Sequence, residues 1–209
     1  MQIQVENLGR KFNKDWIFRN FDTTFQSNQP VAITGANGSG KSTLLQIIAA
    51  ILPATEGKVK YTYRQKNIEE DKIFRYLSLA APYQELIEEF TLQESVVFHL
   101  QFKPFRNQLA AGEFIKKIGL EKARNKPVKN FSSGMKQRLK LGLAFFSDTP
   151  ILLLDEPTSN LDKNGVDWYQ QHLSDNIADR LVLICSNQPY EYEICKRIIH
   201  IQDSLIYIR

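Results

Sequence analysis

Cysteine is scarce: the 209 residues hold only Cys185 and Cys195, both in apolar surroundings near the end of the chain. Two cysteines cannot build the disulfide framework of a small secreted domain, and a reducing cytoplasm is the expected compartment. Long hydrophobic runs are also missing. The richest, residues 44–52 (LLQIIAAIL), is interrupted by Gln46 and stopped by Pro53, far short of the roughly 18 apolar residues that span a bilayer. A membrane, if one matters, is therefore expected to come with a partner. The opening residues MQIQVENLGRKF lack the apolar centre of a signal peptide, so export is not indicated. Nor does one sign of charge dominate: 27 Lys and Arg against 23 Asp and Glu leave a formal net charge of +4. The basic residues are spread out, with only a loose cluster between Lys116 and Lys129, and direct nucleic-acid binding is not expected. There is no internal repeat and no low-complexity tract. With 43% hydrophobic and 24% charged residues at 24.2 kDa, the composition suits one folded domain, or one domain carrying a small insert.

What is present is an order of strands, helices and breakers. The runs VAIT (31–34), ILLL (151–154) and LVLIC (181–185) are apolar at successive positions, the pattern of strands covered on both faces. They are read as central parallel strands of an α/β sheet. Residues 2–6 alternate polar and apolar, as does the stretch RIIHIQDSLIYIR around Asp203 and Ser204; both read as antiparallel strands with one wet face, at an edge. A further strand is expected near residues 74–77. Between about Pro82 and Asp148 the spacing becomes helical, with Leu92, Val96, Val97 and Leu100, then Phe114 and Ile118, on repeating faces. The predicted organisation is a core of about residues 1–80 and 148–209 carrying a helical subdomain of about 81–147. Residues 122–130 read as a linker before a helix that starts near Ser132 or Ser133.

The chemistry begins where the strand 31–34 runs into Gly35-Ala36-Asn37-Gly38-Ser39-Gly40-Lys41-Ser42-Thr43 and then a helix-like stretch to Leu52. This fits the phosphate-binding pattern G-x-x-x-x-G-K-S/T in its strand, loop, helix setting. Glycines let successive backbone N–H groups turn towards phosphate oxygens, and the helix that follows presents its positive end to the same anion. Lys41 is expected to reach the outer phosphates, and the Ser42 hydroxyl to ligate Mg²⁺. Later, the strand 151–154 ends in Asp155-Glu156. Two carboxylates at the carboxyl end of a buried strand make sense if they face a cation or a reacting water, where ligands of open α/β sheets sit. Asp155 is assigned to the Mg²⁺ shell and Glu156 to polarising the attacking water as general base.

With these motifs the chain resembles the ATP-binding subunit of ABC (ATP-binding cassette) transporters. GANGSGKST stands as the Walker A loop, FSSGMKQR at 131–138 as the signature, ILLLDEP at 151–157 as Walker B, and Ser159-Asn160-Leu161-Asp162 as the D-loop. The resemblance covers essentially the whole chain and implies an α/β fold: a P-loop NTPase core with a mainly parallel sheet, an antiparallel β edge subdomain and a helical insert. It also implies that Ser132, Ser133, Gly134 and Met135 close over nucleotide held by a second copy, with Asp162 contributing at the same interface, so that two copies sandwich two ATP molecules. Phe12 lies 23 residues before Gly35, where the family places an aromatic that stacks on adenine; Trp16 competes for that role. ATP and Mg²⁺ are the implied cofactors. The implied partners are a second ATPase subunit, with a homodimer favoured, and integral membrane permease subunits docked on the cytoplasmic face of the membrane. A groove for them is expected around residues 84–90 (QELIEEF) and the helical insert.

Three departures qualify the resemblance. The histidine that usually follows the strand after the D-loop is replaced by Asn187, 31 residues past Glu156. An amide can donate a hydrogen bond to a phosphate oxygen but cannot carry positive charge, so slow hydrolysis is expected. The signature reads SSGM where SGGQ is commonest. The glutamine sought after the strand near 74–77 is not in place, and Gln84 is the nearest candidate. His99, His172 and His200 are expected to serve the core or surface. Two rival readings remain: a soluble cassette ATPase acting in translation or on DNA, and a regulatory subunit that binds ATP but scarcely turns it over.

Overall fold

The polar–apolar alternation of the first residues buries Ile3 and Val5 and leaves Gln2 and Gln4 exposed in β1 (Gln2–Phe12). The computed structural model, which describes residues 1–202 and 205–208, pairs β1 antiparallel with β2 (Asp15–Gln26) and with β4 (Glu56–Tyr63); β5 (Lys66–Ile68) completes a four-stranded sheet. The second sheet has six strands in the order β10-β9-β3-β8-β7-β6. These are β3 (Val31–Gly35), β6 (Leu77–Ala80), β7 (Ile151–Asp155), β8 (Leu181–Cys185), β9 (Arg197–Gln202) and β10 (Leu205–Ile208). All but β10 run parallel.

Why residues 151–154 of β7 and all of β8 are apolar is visible in their packing. Ile151, Leu153, Leu181 and Leu183 point into one hydrophobic core, shared with the antiparallel sheet and α1 (Lys41–Ile48). Leu152, Leu154, Val182 and Ile184 point into the other. That second core is covered by α2 (Leu92–Leu100), α3 (Ala111–Lys117), α4 (Ser133–Phe146) and α5 (Lys163–Asn176). With both faces covered, alternation has no advantage. Thr91 and Glu94 form a reciprocal capping box that starts α2. The mostly parallel sheet with an antiparallel β sheet and a helical layer is the fold expected.

Four local expectations are corrected. The helix after the phosphate-loop motif ends at Ile48 and does not reach Leu52: Ala50 takes a left-handed conformation, and Ile51 N–H and Ala50 N–H bond back to Gln46 and Ile47 in a Schellman-type stop. The strand sought at 74–77 lies at Leu77–Ala80, because Glu70–Arg75 form a 3₁₀ turn that buries Ile73 and exposes Phe74. Val97 faces outward, since a helix that buries Leu92 and Val96 turns the next position away. β9 is no edge strand; it pairs parallel with β3 on one side and antiparallel with β10 on the other. The turn at Asp203 and Ser204 lies outside the described residues. No described helix is long and apolar enough to cross a membrane.

Candidate functional site

The carboxyl ends of β3, β7 and β8 converge on one rim of the sheet, and the phosphate-loop motif leaves that rim from β3. Its backbone needs glycine at two places where a side chain could not fit. A Cβ on Gly35, at φ +145°, would lie 2.4 Å from the Ile201 carbonyl, and one on Gly40, at φ +103°, would lie 2.3 Å from Ile17. Gly40 caps α1 without a side chain, so the first N–H groups of that helix are left for an anion. Lys41 is buried and folds back over the loop, its Nζ donating to the Gly35 carbonyl at 2.8 Å and the Ala36 carbonyl at 3.1 Å. A phosphate would offer the same ammonium better acceptors.

Two cavities, of about 180 and 260 Å³, flank this loop, and Asn37 and Glu156 belong to the walls of both. Gly38, Gly40, Lys41, Ser42 and Thr43 line the first, together with Ile17. The second opens towards Ser159, Asn187 and Glu191. Asp155 is 1% exposed, and neither of its carboxylate oxygens has a hydrogen-bond partner. Burial pushes its carboxyl up to about 6, Glu156 and Glu191 push the same way, and the Ser42 hydroxyl and Lys41 work against them. An orphaned buried carboxylate beside a hydroxyl is a good fit to a small hard cation. No group of three or more His, Cys, Asp or Glu is placed to hold a metal among the described residues. Ser42 and Asp155 are thus the protein donors available, and a bound Mg²⁺ would take its other oxygens from nucleotide and water.

Glu156 sits at φ +43°, a conformation that costs a non-glycine residue about 1–2 kcal/mol. The turn is fixed by Glu156 N–H donating to the Cys185 carbonyl at 2.9 Å and Ser159 N–H donating back to the Glu156 carbonyl at 3.1 Å. Asn187 reaches across to the phosphate loop: Gly35 N–H donates to its Oδ1 at 3.1 Å and its Nδ2 donates to Asn37 Oδ1 at 3.4 Å. The residue read as a γ-phosphate contact therefore stands at the loop it was expected to face.

Other predicted residues lie elsewhere. Ser132 caps α4, accepting from Met135 N–H at 3.2 Å, with Ser133 and Gly134 in the first turn. A Cβ on Gly134 would come within 3.0 Å of the Asn160 carbonyl, so glycine here also lets the segment 159–162 pass. Ser132, Ser133, Gly134 and Met135 line neither cavity. Asp162 accepts from Gly165 N–H at 2.8 Å and caps α5. Phe12 is exposed at the end of β1 with the Arg10 guanidinium 4.5 Å from its ring centre, and it lines neither cavity. Trp16 packs against Gly9 under Arg19. Gln84 starts no helix: its N–H bonds to Ala81, and its side chain lines a separate groove with Leu86, Phe90, Phe98 and Phe102. His99 contacts Ser147, stacks on Phe105 and is pushed down to about 4 by burial; His172 packs on Trp168; His200 contacts Thr34.

Some residues of the site were not foreseen. Ile17 walls the loop cavity, Glu191 is buried beside Thr158, and the Tyr83 phenol is pushed up by burial and by the negative charge of Asp155. None belongs to a local motif: Ile17 and Tyr83 arrive from distant segments, and Glu191 from the turn just after Asn187.

Comparison with known proteins bears on the fold and the family. Residues 18–159 match the ABC transporter family. The chain is 32% identical to the uncharacterized ABC transporter ATP-binding protein YybJ of Bacillus subtilis over 78% of this chain and 75% of that protein. It is 28% identical to the bacitracin export ATP-binding protein BceA of Halalkalibacterium halodurans over 97% and 84% of the two chains. A dimeric structure of the bacterial ABC transporter cassette MJ0796 superposes with a TM-score of 0.81 at 24% identity, covering 99% of this chain and 97% of that one. With motif order, fold and relatives in agreement, the chain belongs to the ABC transporter family, among its ATP-binding proteins.

Proposed function

We propose that this chain is the motor subunit of a transporter: it binds ATP with Mg²⁺ at the loop cavity, dimerises around the nucleotide, and hydrolyses it to drive separate membrane subunits. The observation that carries this reading is the Asp155 carboxylate, buried without a hydrogen-bond partner at the rim where Lys41, Ser42 and Glu156 meet. In this reading the backbone of Gly35, Asn37, Gly38, Ser39, Gly40 and Thr43 cradles the phosphates and Lys41 neutralises them. Ser42 and Asp155 hold Mg²⁺, which when bound would offset phosphate charge. Glu156 takes the proton of the attacking water, and Asn187 donates a hydrogen bond to the outer phosphate. Phe12 stacks on the base. Ser132, Ser133, Gly134, Met135 and Asp162 complete the site of a second copy, which fits their absence from the walls of their own chain's two cavities.

The names of relatives, bacitracin export and lantibiotic transport, support a role in transport, with the chain held at the inner face of the membrane by its partner. The amide at Asn187 favours slow turnover, and with it a weakly hydrolysing subunit as the second reading. The test is Glu156→Gln: ATP binding is kept, steady hydrolysis falls by about a hundredfold or more, and size-exclusion chromatography with ATP gives a dimer. A variant that stays monomeric with ATP, or hydrolyses at the parental rate, rejects the assignment.

A further inference from the structure

Glu191 is 2% exposed, in the 3₁₀ turn Pro189–Glu191 that directly follows Asn187 and Gln188. Both donors of Thr158 converge on one of its oxygens: the N–H of Thr158 lies 2.8 Å from Oε1, and the Thr158 hydroxyl bonds to the same atom. The second oxygen, Oε2, is buried without a partner, in a residue that lines the 260 Å³ cavity with Glu156 and Asn187. The turn is itself anchored, since the Tyr169 hydroxyl donates to the Glu191 carbonyl at 2.7 Å. From the opposite side, the buried Gln137 of α4 donates to the Pro157 carbonyl at 2.7 Å. The single peptide group joining Pro157 to Thr158 is therefore gripped at both its carbonyl and its N–H, directly after a Glu156 whose backbone is left-handed.

A strained backbone persists only where its surroundings over-determine it. A carboxylate is a strong acceptor for two donors at once, but keeping it buried with an orphaned oxygen is costly, so packing alone does not account for it. We propose that Glu191 is a positioning residue for hydrolysis: by fixing Thr158 to the turn after Asn187, it keeps Glu156 aimed at the water that attacks the phosphate held near Asn187. The inference rests on the assignment of Glu156 as general base. The general base and the phosphate contact then move as one unit, because one side chain ties the turn of the first to the turn of the second.

A double-mutant cycle on the full chain tests this, with single-turnover ATP hydrolysis followed over hours and the Kd of a fluorescent ATP analogue measured alongside. Glu191→Gln is expected to slow hydrolysis by about tenfold with Kd unchanged, and to add no further loss in the Glu156→Gln background. Thr158→Val, which loses one donor, should slow hydrolysis, whereas the conservative Thr158→Ser, which keeps both, should restore it; this pair carries the test if Glu191→Gln does not fold. Equal losses in the two backgrounds, a loss traced to Kd, or Thr158→Ser as impaired as Thr158→Val would overturn the clamp. If Glu156→Gln itself runs at the parental rate, the general-base assignment falls. If Glu156→Gln is slow but Glu191→Gln and Thr158→Val are not, only the clamp falls.

Discussion

Asp155 shows how one residue can trade stability for binding. Its carboxyl is pushed from the ordinary 3.8 to about 6 by burial, so the folded chain holds that proton more tightly than the unfolded one. The stability this provides is fully present below about pH 4 and is lost as pH rises through about 6. Asp155→Asn should therefore stabilise the nucleotide-free protein above pH 6, by up to about 3 kcal/mol at full effect, with the gain vanishing near pH 4. Urea unfolding at pH 4 and pH 8 measures it, and the same variant should lose Mg²⁺-dependent tightening of ATP binding. At Asn187 the issue is charge. Asn187→His, which can carry a proton next to Gly35 and Asn37, should raise turnover several-fold, by about 1 kcal/mol of barrier; an unchanged steady-state rate would assign slow turnover to another cause.

Elements are positioned by close contacts that the linear pattern does not reveal. Gly142 lies in the middle of α4, where alanine would ordinarily gain about 1 kcal/mol of helix propensity. Here a Cβ would meet the Ile118 side chain at 2.4 Å and Phe114 at 3.2 Å, both fully buried. Overpacking of that kind costs about 1–3 kcal/mol, so the clash should win. Gly142→Ala is expected to lower the melting temperature, and a rise would mean that α3 moves aside at little cost. The same helix carries Ser132 at its start and Gln137 one and a half turns on, bonded to Pro157. Disturbing its packing should thus also change how the signature residues are presented.

At the scale of the whole molecule an apolar groove lies open at the surface. Val97, Phe98 and Phe102 are 45%, 40% and 69% exposed on α2 and the turn after it, and the groove beside them runs under Leu86, Ile87 and Phe90. Exposed aromatics clustered at a groove mark a docking surface more often than chance exposure. If the permease subunits of the proposed transporter dock here, Phe98→Ser with Phe102→Ser should leave ATP binding unchanged and abolish recovery of the chain with membranes that contain its partner. Recovery at the parental level would place the docking surface elsewhere.

The sequence by itself determined the fold class and the loop that begins at Gly35, because glycine spacing, unbroken apolar runs and a terminal pair of carboxylates are local signals. Periodicity also located α4, through Ser132 and the apolar face that follows. It misplaced the end of α1, the strand before Pro82 and the orientation of Val97, where left-handed turns and a 3₁₀ segment interrupt the pattern. Only the tertiary structure decided that Glu191 would grip Thr158 across 33 residues and that Gln137 would hold Pro157 across 20. Contacts between distant segments leave no periodic trace in either partner. Their meeting depends on the strand order that brings β3, β7 and β8 to one rim.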